Sequence, residues 1–254
     1  MTISEKDWRR YIDALRKVND EAAGLVLRYL QTNGIPTERA AINALLEYCY
    51  AICGKYSEAS AALAAEMYDA LAALSGAAVP PALPAPVPEM SEVAKAVVGT
   101  MKSGNEEIIS SAIGRLVKQT GVDTTMQNAL RDGAEWAWIP SGDTCAFCIT
   151  LASRGWQEAS KKAIKNGHAE HIHANCDCTY AVRFDGRSTV AGYDPDIYLE
   201  MYNDASRSHD PTEKINAMRR EFYEQNKEEI NAQKRSAYEK RKERESSVAE
   251  ETRV

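Results

Sequence analysis

From Glu5 to Leu30 apolar side chains recur at Trp8, Tyr11, Ile12, Leu15, Val18, Leu25, Val26 and Tyr29, mostly at steps of three and four residues. That period gathers them on one face of an amphipathic helix. Asn33-Gly34 interrupts the pattern, and Pro36-Thr37-Glu38 opens a second helix, proline being tolerated where a first-turn N–H has no partner to lose. Ile42, Leu45, Leu46, Cys49, Ile52 and Cys53 mark its apolar face. The alanine-rich stretch to Leu74 stays in register, as one long helix or as two broken near Gly54. Ala61, Ala62, Ala64 and Ala65 leave room for a neighbouring helix to approach closely.

Between Gly76 and Pro88 stand Pro80, Pro81, Pro84, Pro86 and Pro88. They end the helical pattern and favour an extended, semi-rigid conformation, predicting a spacer more readily than a ligand for a proline-reading domain. Two shorter helices are expected over Ser91–Met101 and Asn105–Gln119, with Val93, Val97, Met101, Ile108, Ile109, Ala112, Ile113, Leu116 and Val117 as core candidates, and a further one over Thr124–Trp138. Thr179 to Phe184 is β-branched and aromatic enough for a short strand, closed by Asp185-Gly186. From Pro211 to about Glu245 the chain predicts a charged helix with a thin stripe of Ile215, Met218, Phe222 and Ile230, fraying from Ser246 onward.

The expected fold is therefore mainly α: a helical body, a small α+β module and a C-terminal charged helix. Its segments are residues 1–75, a proline-rich linker 76–90, a second helical stretch 91–138, the module 139–186 and the C-terminal arm 187–254. No apolar run approaches the roughly 20 residues of a membrane span, and the polar, acidic start is unlike a secretory signal, so synthesis and retention in a cytoplasm are expected. A net charge of −6 with both signs interspersed gives no global basic field for nucleic acid.

Cysteine usage adds specific chemistry. Four of the six Cys and three of the four His lie between Cys145 and Cys178. In a reducing compartment such clustering points to metal rather than to disulfides. Cys145-Ala-Phe-Cys148 is a C-x2-C knuckle, and His173-Ala-Asn-Cys176-Asp-Cys178 supplies a second set of ligands at a separation usual for structural zinc. Five residues, Cys145, Cys148, His173, Cys176 and Cys178, compete for four places around one tetrahedral Zn2+, which suits thiolate-rich sites. His173 is favoured, and the choice between Cys176 and Cys178 stays open. Cys49 and Cys53, one turn apart in an apolar run, read as small core residues.

The stretch from Trp138 to Trp156, with the segment His173–Cys178, resembles the C-terminal signature of Mu F-like phage head morphogenesis proteins: a C-x2-C near a Leu-Ala-x-x-Gly turn, then H-x2-C-x-C running into a strand. Ala64 to Asp69 resembles a recurrent Ala-x-x-Tyr-Asp segment of the same family, so similarity extends from about residue 20 to residue 185. The resemblance implies a minor capsid protein of the virion head interior, made in the host cytoplasm. It implies portal or major capsid protein as partners and brings packaged DNA within reach; no membrane and no small-molecule substrate are expected.

Two enzyme readings compete with this non-enzymatic one. His168-Ala-Glu170 reproduces the H-x-E of zinc deaminases, but the C-x2-C precedes it where that chemistry needs it to follow. His171 and Asn175 beside paired cysteines resemble a His-Cys nuclease, for which only His209 remains as a ligand on a following helix. A shell of three Cys and one His leaves no open position for an activated water, so the expected metal is structural and catalytic residues are expected to be absent.

Overall fold

The computed structural model describes residues 2–141, 145–160 and 178–225, together with 227–228, 231–232, 235 and 239. It is mainly helical, with α1 (Glu5–Asn33), α2 (Arg39–Leu74), α3 (Met90–Met101), α4 (Glu106–Asp132), α5 (Ala146–Ala152), α6 (Pro195–Asp204) and α7 (Pro211–Gln225). Five short strands accompany them: β1 (Thr2–Ile3), β2 (Glu135–Ile139), β3 (Gln157–Glu158), β4 (Thr179–Arg183) and β5 (Thr189–Val190). Contacts divide the chain into two compact units, residues 1–201 and 202–254.

The first helix begins at Ser4, whose hydroxyl accepts from the Asp7 amide, and runs to Gly34 with its predicted apolar face inward. The second is a single helix of 36 residues. Gly54 does not break it; a side chain there would meet open space. The chain between 105 and 132 is likewise one helix where two were expected. Asn105 caps its start by accepting from the amides of Glu107 and Ile108. Thr120, Thr124 and Thr125, which would weaken a helix, turn their hydroxyls back onto the carbonyls of Leu116, Thr120 and Gly121. Gly121 is a packing residue: a Cβ there would lie 2.6 Å from Ser60 Oγ and 3.2 Å from the Ser60 carbonyl oxygen.

The expected helix over Thr124–Trp138 ends early. Gly133 adopts φ 66° and returns its N–H to Ala129, the left-handed cap that glycine takes without strain. The chain then enters β2, whose antiparallel partners are β3 on one side and β4 on the other, with Ile139 opposite Thr179 and Glu135 opposite Arg183. Trp136 and Trp138 both pack on Tyr180, at ring separations of 5.4 and 4.8 Å, an alternation that suits a strand. The predicted strand at Thr179 is β4. At the chain start, β1 pairs in parallel with β5, Thr2 opposite Thr189.

The proline segment is extended, as its residues require, but it is fastened rather than free. Asn128 on α4 accepts from the Leu83 amide at 2.9 Å and donates to the Leu83 carbonyl at 2.8 Å, so its amide imitates a neighbouring strand. The Ala85 amide donates to Thr124 Oγ1, and the Ala82 amide to Asp69. Arg131 donates to the carbonyls of Pro80 and Pro81 while pairing in a fork with Asp132 at 2.6 and 2.7 Å. Asp132 also accepts from the Tyr68 hydroxyl at 2.7 Å. Its carboxyl is held below the ordinary range by Arg131 first, with Tyr68 adding to the effect. The segment is a strap across α4 and α2, where a freestanding spacer was expected.

Two apolar clusters make the core of the first unit. One joins Trp8, Tyr11, Ile12, Tyr68, Val122, Met126, Trp136, Trp138, Cys148, Cys178 and Tyr180; the other joins Ala22, Val26, Leu30, Leu45, Cys49, Cys53, Val93, Val97, Ile109, Ile113 and Val117. Cys49 and Cys53 are wholly buried, and burial pushes their thiols up to about 12 and about 11, so they stay neutral core groups.

In the second unit, Pro211 opens α7 behind Asp210, which caps it by accepting from the Thr212 amide. Lys214 donates to the carbonyls of Tyr202, Asn203 and Ser206, and Met218 is buried. Ile230, and the arm from residue 240 onward, lie outside the described residues, as does the Phe222 side chain.

Candidate functional site

Cys145 and Cys148 of the first knuckle, and Cys178 of the second segment, lie at the same end of the β2–β4 ladder. Ile139 ends β2 and Thr179 begins β4 directly opposite it, so Cys178 stands one residue before that pair and Cys145 six residues beyond it. Cys145 is the N-cap residue of α5 and Cys148 lies in its first turn, three residues on, where i and i+3 side chains share a helix face. The Thr150 hydroxyl bonds back to the Ala146 carbonyl, and the packing of α5 on β2 fixes the knuckle against the sheet. Cys148 and Cys178 are buried and Cys145 half-buried, all within the cluster of Trp138 and Tyr180.

The sulfur of Cys178 accepts the Ser141 amide at 3.3 Å. Directed backbone amides of this kind favour a thiolate, and three cysteines of which two are a turn apart are the donor chemistry that zinc prefers. The residues present thus fit the ion in kind. Among the described residues, however, no three Cys, His, Asp or Glu side chains are drawn into one group able to hold a metal, so Cys145, Cys148 and Cys178 do not form a shell by themselves. His173 and Cys176, the other two candidates, lie outside the described residues, as do His168, Glu170, His171 and Asn175 on which both enzyme readings turn.

Several groups around the ladder escaped sequence reading. Arg183 pairs with Glu135 at 2.7 Å across the β4–β2 register and lies over the Trp156 ring at 4.5 Å, tying the residue after the Gly155 turn back to the sheet. Tyr193 donates from its hydroxyl to the Ala152 carbonyl at the end of α5. Tyr11 of α1 is bonded to Thr179 and Thr125 through its hydroxyl, although burial dominates and raises its ionisation well above the ordinary tyrosine value. The signal for these contacts was no more than aromatic density, since every partner is far away in sequence. A cavity of about 200 Å3 beside this end is lined by Trp8, Ile12, Ile139, Ser141, Val190 and Tyr198 among others.

After β4 the chain turns through Asp185. Its carboxylate accepts from the amides of Arg187 and Ser188 and from the Ser188 hydroxyl, at 3.0, 2.7 and 2.7 Å. These bonds hold the carboxyl well below its ordinary range, the Ser188 amide contributing most. A depressed folded-state pKa stabilises the fold above the unfolded value and loses that contribution as pH falls. Asp185→Ala is therefore expected to melt below wild type at neutral pH, with the gap narrowing as pH drops below about 4. Melting curves of the two proteins from pH 7 to pH 3 measure this, and a gap independent of pH would refute the charge-based account of the turn.

No helix among the described residues is long and apolar enough to cross a membrane. Compared with known proteins, residues 2–205 match the family model described as VG15 protein. No curated protein and no solved structure matches the chain. The matched span takes in α1 through α6 and every strand, well over half of the sequence, and so the chain belongs to the VG15 protein family, a family of viral gene products.

Proposed function

We propose that this chain is a phage minor head protein of the Mu F-like kind, an assembly component rather than an enzyme, bound near the portal inside the virion head and carrying one structural zinc. The observation that carries the reading is the meeting of the C-x2-C knuckle on α5 with the start of β4 at one end of the β2–β4 ladder, in a chain of viral family. Cys145 and Cys148, with His173 and either Cys176 or Cys178, would hold the ion. Zinc there would cross-link two chain segments and supply no reactive water. Around it the protein's own residues do the positioning: Ser141 directs its amide at Cys178, and Tyr193 anchors the end of α5.

Exposed Ile197, Leu199 and Met201 on α6, and the charged helix α7, are the surfaces that suit docking on a larger shell. Mass spectrometry of purified virions is expected to recover this chain in low copy, co-purifying with portal protein. Recovery from the host cytosol alone would overturn the head-protein reading and leave a free-standing zinc-binding interaction module. Deaminase and nuclease assays on single-stranded and duplex substrates with added zinc, magnesium or manganese are expected to be flat. Turnover abolished by Glu170→Ala or by His171→Ala would instead favour the corresponding enzyme.

A further inference from the structure

The two apolar clusters of the first unit meet on all three long helices at polar residues. On α1 one cluster reaches Leu15 and the other begins at Val18 and Ala22, with buried Asn19 between. On α2 the clusters are separated by Ser57 and Ser60, both wholly buried. On α4 they are separated by Lys118 and Gly121, and Lys118 is 5% exposed. Six buried side-chain polar atoms among the described residues have no hydrogen-bond partner, and three of them fall in this one layer: Asn19 Oδ1, Ser60 Oγ and Lys118 Nζ.

These groups lie beside two glycines at which neighbouring helices approach α4 closely. A Cβ on Gly114 would touch the Asn19 carbonyl and Ala23, each at 3.4 Å, and one on Gly121 would strike Ser60. Lys118 lies four residues after the first glycine and three before the second, on the same stripe of α4. A helical side chain leans toward the N-terminus of its helix, so the lysine stem extends toward the level of Asn19. A buried amine with no acceptor destabilises far more than an unbranched apolar side chain of the same length would. Each helix also carries a glycine close to the layer, Gly24, Gly54 and Gly121, and packing does not require the one at 54.

We propose that this layer is a built-in opening seam, at which α1 withdraws from α2 and α4 around Asn19 and lets water reach Lys118 and Ser60 while the clusters on either side stay packed. The seam joins in series the half that holds the β2–β4 ladder and the half that holds α3, so opening it changes the angle between the two without unfolding either. That is a device for fitting the body onto a larger structure, and it stands on the packing alone, whatever that structure is.

Hydrogen exchange of the full-length protein tests it. The amides of Asn19, Lys118 and Gly121 are expected to exchange at least tenfold faster than those of Ile12, Val26, Ile113 and Met126, although all seven residues are buried. Lys118→Met is expected to remove that difference and raise the melting temperature, and Asn19→Leu to act in the same direction as an independent check. Exchange in the middle as slow as at the flanks would overturn the proposal. So would a fall in melting temperature in both variants, which would mean that the polar groups are satisfied and hold the helices together.

Discussion

Asn128→Ala is expected to lower the melting temperature of the protein by roughly 4–10 °C. The side-chain amide of Asn128 makes two bonds to the backbone of Leu83 and a third to the Thr124 carbonyl, and it is 1% exposed. Alanine leaves the Leu83 amide without its acceptor and opens a small void under the strap. Leu83 is 62% exposed, so the cost is chiefly that of the buried Asn128 amide losing three bonds, about 1–3 kcal/mol, and in a body of this size each kcal/mol is worth about 2–4 °C. Gln127 is the control, because it donates to the same Leu83 carbonyl from an exposed position and its loss is worth less than about 1 kcal/mol. Proteolysis gives a second readout: the variant is expected to be cut first between residues 77 and 89. A melting point within a degree of wild type, with that segment no more easily cut, would show that the strap contributes nothing and that the prolines serve as a spacer after all.

The strap shows where a sequence stops informing. Five prolines dictate extended backbone, and that much is legible without coordinates. Their destination depends on Thr124, Asn128 and Arg131, between 39 and 51 residues away, and nothing local encodes that pairing. The same division holds elsewhere. Trp8, Ile12, Leu15 and Val26 announce the buried face of α1 by period, since a helix face is a local property. Trp136 and Trp138 do not announce β2, because they continue the apolar spacing of Met126 and Ala129 and only the left-handed Gly133, with Tyr180 across the sheet, decides the matter. Lys118 follows Leu116 and Val117 and is a natural choice for solvent in any local reading. Its burial follows from α1 and α2 closing over one stripe of α4 at glycines. At the candidate site, the residue types and spacings were readable, while the placing of Cys178 at the same end of the ladder as Cys145 depends on the β2–β4 register.

That register also bears on what loss of the proposed zinc would do. Cys148→Ser is expected to take the zinc content from about one per chain to near zero, as is Cys145→Ser, because a knuckle with one thiolate cannot close the tetrahedron. The module alone would suffer if it were separate from the helices. Instead Cys148 and Trp138 share a cluster with Trp8, Tyr11 and Tyr68, so the damage is expected to spread to the first turns of α1 and the end of α2. The cluster of Val26, Leu45, Val93 and Ile113 is expected to keep its protection from hydrogen exchange. Cys178→Ser separates the two remaining ligand choices. If Cys176 is the fourth ligand beside His173, Cys178 serves the fold through the Ser141 amide that its sulfur accepts. On that account Cys178→Ser destabilises the ladder but keeps its zinc, whereas Cys176→Ser loses it. The reverse result assigns the place to Cys178. Wild-type protein purified without chelators and found free of zinc, or Cys148→Ser found fully loaded, would end the metal reading altogether.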